Sequence, residues 1–406
     1  MGAEGVKWVS NNSSPTLTRY HGAPTTNVLY SPVSQAAATS YFNALAPWGL
    51  MGRVSMRPDG SVASRCPVGQ TSLQVAANWG DNCYSDTDTT GNEQKVVYVP
   101  QFCYYIDTLT ANQVWFWVGQ IGDTFRLSND SADHTFTSAD IQPAFIENSV
   151  VKNSMFVGAY EAYYNSTTAK LESIAGRTPS DNITPANFRA YAANINPQWT
   201  MMTIQALAAL QILIIIEYAS LDSQSTLGYG NSGATATLKN TGATGSTGVN
   251  RGNASYGNTG DYTTEMSYRG IEQLWGNMYK YLDGANKAIT TDHIWIKDYP
   301  PYSDAITTVA GYTDTGGVVP QTLTTYWTKP NTTLLALGLF MPDSTDPGDV
   351  TQTHYFCDPW INLTGSTRTL YYSGNIGAAF LSGIFMLGTK TGANATWGTR
   401  LQYHPQ

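Results

Sequence analysis

Charge is the first thing this chain lacks. Of 406 residues only 12% are charged, 21 Lys and Arg against 29 Asp and Glu, where ~25% is usual. No cluster of Lys and Arg exists to neutralise phosphates, and the net charge of −8 points the same way, so nucleic acid is excluded as a partner. Cysteine is scarce too: Cys66, Cys83, Cys103 and Cys357 form no CxxC, which excludes a zinc ribbon or a thioredoxin-type site. Cys66 and Cys83 could pair across a loop, and free buried thiols are the favoured reading. The five histidines, His21, His134, His293, His354 and His404, belong to no HExxH or HxxxH. No GxSxG occurs, since Gly230-Asn-Ser-Gly233 has no nucleophile elbow. No spacing singles out two carboxylates as a glycosidase pair. The expectation is therefore no catalytic residue, no cofactor and no metal. Long apolar runs are missing as well. The most apolar stretch, Ala206 to Ile216, is interrupted by Gln211 and falls short of the ~20 residues that span a bilayer. The N-terminus, MGAEGVKWVSNNSS, has no apolar signal region, so export is expected by lysis or inside a particle.

What is abundant is aromatic and small polar. Aromatics make up 12% of the chain, with much Gly, Ser, Thr and Asn between them. A disordered chain would be charged and poor in aromatics, so this composition suggests a β-rich extracellular or virion protein with many loops. The stretch from Leu363 to His404 shows it best. Short segments of Tyr, Phe, Ile and Leu are separated by turn residues, and only Arg368, Lys390 and Arg400 are charged. Tyr supplies contact area at low entropy cost while Ser, Gly and Asn adapt, so this segment is expected to be the binding face. It closes on Trp397 to Tyr403, an alternating strand.

Along the chain, residues 1–45 look like an arm, with a short helix over Ser34 to Leu45 that Pro47 ends. Lys95 to Ile106, Gln113 to Val118 and Phe156 to Tyr164 are β-branched and aromatic, hence strands. Thr184 as N-cap and Pro185 at the first helical position start one helix. A second runs from about Thr200 to Leu221, apolar nearly all round and so buried. Residues 228–262 are dominated by Gly, Ser, Thr, Asn and Ala without a hydrophobic period, and suggest a long surface insertion or flexible loop. A core motif, Tyr268 to Asp283, follows. Glu272 and Arg269 within it suggest a buried structural pair rather than a calcium or sugar site, which would need several converging oxygens.

Several of these pieces occur in a familiar order. Phe156-Val-Gly-Ala-Tyr-Glu161, the two helices with Ala-rich middles, Arg269-Gly-Ile-Glu-Gln-Leu-Trp-Gly-Asn277 and the closing Gly398-Thr-Arg-Leu401 resemble a C-type-lectin-like fold. The resemblance is to the branch shared by formylglycine-generating-type domains, phage tail proteins and the variable proteins of diversity-generating retroelements. Gly5-Val-Lys-Trp8, Ser14-Pro-Thr-Leu-Thr-Arg19, Tyr98-Val-Pro-Gln-Phe102 and Glu217-Tyr-Ala-Ser-Leu-Asp-Ser-Gln224 resemble phage tail proteins. The resemblance implies an α+β fold, two helices packed on small twisted antiparallel sheets, with a β-rich part over 46–150 and a lectin-like core over 151–406. It also implies a variable ligand-binding segment at 363–404, with Tyr371, Tyr372, Ser373, Asn375, Phe380, Asn394 and Thr396 pointing outward. Adenine-directed change of an AAY codon can give Asn, Tyr, Phe, Ser or Thr but never Trp, Met or Lys, so Met386, Lys390 and Trp397 would be scaffold. The late reactive cysteine pair of the formylglycine-generating enzymes is missing, because only Cys357 lies in that region.

The function implied is a receptor- or ligand-binding phage tail-tip adhesin, diversified by a retroelement. Its partners would be a host-surface protein or glycan and other virion tail proteins, without membrane insertion; a homo-oligomer is compatible. A non-variable structural tail protein is the alternative, ahead of an enzyme on this fold.

Overall fold

The computed structural model describes residues 2–9, 14, 16–23, 25–29, 41–65, 93–245, 255–288, 290–304, 311–321, 324–346, 356–362, 368–378, 382–390 and 392–405. Three sheets carry the chain. The first has five strands in the order β3 (Val28–Leu29), β2 (Thr18–His21), β1 (Glu4–Val9), β8 (Gln113–Gly119) and β7 (Cys103–Asp107). The second has six: β16 (Trp199–Met201), β28 (Arg400–Tyr403), β13 (Ser154–Glu161), β6 (Gln94–Pro100), β4 (Gly52–Met56) and β5 (Val62–Arg65). The third has nine. Its main path is β21 (Thr313–Val318), β20 (His293–Ile296), β19 (Tyr279–Lys287), β25 (Arg368–Tyr372), β26 (Leu387–Lys390), β24 (Phe356–Asn362), β22 (Thr324–Pro330) and β23 (Pro342–Asp346), while β27 (Trp397–Gly398) lies parallel on β19. Four two-stranded ribbons complete the β structure: β9 (Thr124–Arg126) with β10 (Asp133–Thr135), β11 (Ile146–Glu147) with β12 (Val150–Val151), β14 (Tyr163–Asn165) with β15 (Lys170–Glu172), and β17 (Ser267–Tyr268) with β18 (Ile271–Glu272).

Four α-helices occur among the described residues, and two of them have only five residues: α1 (Pro185–Ala193), α2 (Ile204–Tyr218), α3 (Ser223–Leu227) and α4 (Thr332–Ala336). This overturns the expected fold of two helices on small twisted sheets. Large sheets dominate the regular structure of the described residues, and the helices are minor. The reason is the length of chain after Tyr279: its aromatic and β-branched runs pair with one another into one nine-stranded sheet rather than decorating a helical layer.

Both longer helices start where their caps put them. Thr184 accepts from Asn187 N, with Pro185 first in the helix, and Thr203 accepts from Ala206 N. Every residue of α2 is buried, as an apolar surface all round requires. It lies against β1, β8 and β19, which makes it the rod around which the sheets close.

Other expectations shift in detail. Lys95 to Ile106 breaks at Gln101-Phe102 into β6 and β7, which belong to different sheets; the break follows Pro100, the last residue of β6, which cannot donate to a ladder. The N-terminal segment is no arm. β1 sits between β2 and β8, with Glu4 opposite Val118 and Val9 opposite Gln113. The expected helix over Ser34 to Leu45 lies mostly outside the described residues. So do Cys66 and Cys83; Cys103 is a free, buried thiol. The closing stretch from Trp397 to Tyr403 is split between two sheets, β27 on β19 and β28 between β13 and β16.

Charges in the interior are tied off. Arg269 is indeed buried, but its partner is Glu217, not Glu272. Nη2 and Nε reach the two carboxylate oxygens at 2.6 and 2.7 Å, and Tyr268 donates to the same group at 2.9 Å. Glu272 instead accepts from the backbone N–H groups of Gly242 and Thr244 at 2.7 and 2.9 Å. The first half of the Gly- and Ser-rich insertion is thereby stitched down. Asn231 donates to Thr237 O at 2.8 Å and to Asn277 Oδ1 at 2.9 Å. Gly230 to Gly233 are buried. An insertion without apolar anchors is held by hydrogen bonds to buried amides and carboxylates, which satisfy its backbone.

Candidate functional site

The expected binding residues separate into two groups. Tyr371, Tyr372 and Ser373 are 1%, 0% and 0% exposed. They lie on or next to β25, between β19 and β26, in the middle of the nine-stranded sheet. Leu370 and Tyr372 face the main core, while Tyr371 joins the second core with Phe188, Tyr281 and Trp397. The Tyr371 ring sits 4.3 Å from that of Trp397 and 5.2 Å from that of Tyr279, and lies across Gly388, its partner on β26. A Cβ on Gly388 would meet the Tyr371 hydroxyl at 2.5 Å, so the glycine makes room for the ring. Burial pushes the Tyr371 hydroxyl well above the ordinary tyrosine range and that of Tyr372 up to about 12. Ser373 accepts from the buried Lys280 ammonium at 3.2 Å. Lys280 itself is ion-paired with Glu161 at 2.8 Å, and burial lowers it to about 8. These three residues are framework, and the expectation that they point outward is corrected: both faces of this sheet are covered. Met386 and Trp397, expected as scaffold, are buried.

Asn375, Asn394 and Thr396 are a different matter. Each is half-buried, and the fold brings them together. Asn375 Nδ2 donates to Thr396 Oγ1 at 2.7 Å. Thr396 N donates to Asp181 Oδ2 at 2.7 Å, and Asn182 N donates to Asn394 O at 2.9 Å. Thr396 has φ of 63°, the left-handed region, which a β-branched residue rarely enters. Such strain persists only where the surroundings over-determine it, and it concentrates at functional sites. Phe380 lies outside the described residues.

The loop that meets them was not singled out in the sequence. Residues 176–184 run across the C-terminal turn and carry Asp181 and Asn182. Ser180 ties the loop to β14, accepting from Tyr164 N at 2.8 Å. Beyond it stand Tyr163, Tyr164 and Tyr191, all half-buried. Tyr164 and Tyr191 stack with centroids 4.1 Å apart, and the Arg177 guanidinium sits 5.3 Å over Tyr163. On the other side, Gly377 N donates to Ser232 O and Gly233 O at 3.1 and 3.0 Å, which joins the insertion to the same patch. The result is one surface from three loops, with tyrosines at one end and amides at the other. Its signal in the sequence was the pair Tyr163-Tyr164 followed by turn residues, which reads locally as strand alone.

One hydrogen-bond chain elsewhere has the order of a catalytic triad. His404 Nε2 lies 2.8 Å from Thr200 Oγ1, and His404 Nδ1 bonds Glu147. The Thr200 hydroxyl, however, is buried and also reaches Met201 O at 2.8 Å. Among the described residues no group of three His, Cys, Asp or Glu side chains could hold a metal ion, and no helix is long and apolar enough to cross a membrane.

No family model and no curated protein matches the chain. Among solved structures, one titled "Major Tropism Determinant U1 Variant" is similar over 96% of this chain and 81% of its own, at 12% identity and a TM-score of 0.29. A likeness of that size carries no argument about fold or function.

Proposed function

We propose that this chain is a non-catalytic binding protein, a phage tail adhesin that attaches through the three-loop surface built from Asn375, Asn394, Thr396, Asp181 and the tyrosines 163, 164 and 191. The observation that supports it is the strained Thr396, held in the left-handed region by bonds from Asn375 and to Asp181, in a patch of adaptable amides beside tyrosines of the kind that binding loops favour. The sequence resemblance to phage tail proteins supplies the setting: a virion, with a host-surface protein or glycan as partner. The reading does not depend on a lectin-like fold. If a retroelement diversifies the chain, Asn375, Asn394 and Thr396 are the residues it can vary without entering the core.

The test is adsorption. Virions carrying Asn375→Ala with Asn394→Lys should lose attachment to host cells, followed as free titre, while the purified variant melts within a few degrees of the parent. An unimpaired adsorption rate with that pair would place the receptor site elsewhere. Sequencing beside the gene tests diversification: a near-repeat of the coding segment for 363–404 differing at adenines, next to a reverse transcriptase gene, is expected. Its absence leaves a fixed adhesin.

A further inference from the structure

A cleft of ≈ 350 Å³ lies beside α1, with Arg189, Trp199, Thr200, Asp283, Pro300 and Tyr302 among its lining residues. Its volume is at the small end of ligand sites, which run from about 300 to 1,000 Å³. It is a separate place from the three-loop surface. Arg189 and Ala193 are four residues apart and share one face of α1, whereas Tyr191, which stacks on Tyr164, points away from both.

One of the lining residues is a carboxylate with a spare oxygen. Asp283 is 1% exposed. Its Oδ1 accepts from Arg189 Nε at 2.6 Å, and its Oδ2 has no partner. A buried carboxylate oxygen without a donor is costly. Arg189 is no surplus cation, because its Nη1 is already bound to Asp304 at 2.7 Å. The lining itself carries one cation and one carboxylate, Arg189 and Asp283, and the charged groups around them are mostly carboxylates. Asp304, Glu147 and Asp298 act on Asp283 or Tyr302 from around the cleft, against Lys297 and, when protonated, His404. Lys297 is not itself a lining residue, and its ammonium donates to Pro301 O at 2.7 Å. The walls are apolar: Trp199, two prolines from the 300–301 turn, and Tyr302. The mouth is rimmed by Ala193, Pro197 and Pro301, all exposed.

We propose that this cleft receives one basic side chain, the ammonium of a lysine or the guanidinium of an arginine, presented by a partner protein. The aliphatic stem lies along Trp199, Pro300 and Tyr302, as long cationic side chains do on apolar surface, and the charged head donates to Asp283 Oδ2. The incoming cation supplies the donor that Oδ2 lacks and offsets the carboxylates around it. A neutral polyol would leave that charge in place.

Titration of the full chain with n-butylammonium and n-butylguanidinium, read by calorimetry, tests this. Both should bind saturably in the millimolar range, while 1-pentanol and methyl glucoside should not. Asp283→Asn should weaken binding at least about tenfold, the size of one hydrogen bond to a charged group. Because Asp283→Asn also loses an ion pair and could unfold, Ala193→Trp is the second variant. It fills the mouth from an exposed position and should abolish binding with an unchanged melting temperature. Failure of both cations to bind overturns the proposal, as does glucoside or alcohol binding as well as the cations, or full binding by a folded Ala193→Trp protein. None of these results bears on adsorption by the three-loop surface, so the two readings fail separately.

Discussion

Replacing Tyr371 with Ser should cripple the fold rather than the binding face. The ring is 1% exposed and is enclosed by Trp397, Tyr279 and Gly388. Deleting a buried aromatic costs about 3–5 kcal/mol through lost transfer energy and the cavity left behind. The new hydroxyl would sit among rings without a partner, which adds about 1–3 kcal/mol. Against a total of about 5–15 kcal/mol for a folded protein, the variant loses a large share of its stability. Asn375→Ala is the control. It removes a half-buried side chain whose described bond is to Thr396, and should cost about 1 kcal/mol. Urea unfolding followed by tryptophan fluorescence measures both, since Trp397 touches the site. A Tyr371→Ser midpoint close to that of the parent would refute the burial of β25, and with it the division between framework and binding face drawn above.

Two further outcomes follow from the buried charges. Glu217→Gln should destabilise by about 3–5 kcal/mol, because it strands the Arg269 guanidinium in the core; an unchanged urea midpoint would mean the Arg269–Glu217 pair is not formed. Stability should also vary with alkaline pH in two phases. Lys280 is lowered from 10.5 to about 8 in the folded chain, so between those values the unfolded chain holds the extra proton and stability rises with pH, by up to about 3 kcal/mol. Tyr372 is raised from 10.0 to about 12, so its contribution is present below pH 10 and is lost as pH climbs to 12, again about 3 kcal/mol. A maximum in the alkaline range is expected in urea midpoints taken from neutral to strongly alkaline pH, pulled below pH 10 by the buried Cys103 thiol, which is raised from 9.0 to about 12, and Lys280→Met should flatten the rising limb. A monotonic fall from pH 8 would contradict the burial of Lys280.

What the sequence disclosed was mostly local. The Thr184-Pro185 start of α1 and the buried character of α2 were legible, because caps and an all-round apolar surface are written in adjacent residues. The burial of Arg269 was legible too, but not its partner, since Glu217 lies on another element and only the folded chain brings the two together. The orientation of Tyr371 and Tyr372 was not legible. Alternation sorts inside from outside only when one face of a sheet is wet. β25 is paired on both edges and covered on both faces, so both parities are buried and the pattern carries no direction. The three-loop surface was half legible. Asn375, Asn394 and Thr396 stood out by composition, whereas Asp181 belongs to it through a contact with Thr396, 215 residues away in the chain, and Tyr164 only through Ser180 and Tyr191 on neighbouring elements.

The place of β28 has a consequence for synthesis. It is an inner strand, flanked by β13 and β16, with Tyr403 opposite both Phe156 and Trp199. During translation, β13 and β16 therefore wait side by side for a strand that emerges some 200 residues later. Until Arg400 to Tyr403 clear the ribosome, the six-stranded sheet has an open seam with unpaired edges, the condition in which nascent chains are held by chaperones or aggregate. A chain stopped before Arg400 would not be a slightly shortened protein. It would be one whose second sheet never closes, and a quality-control system that senses exposed strand edges would see it as unfinished.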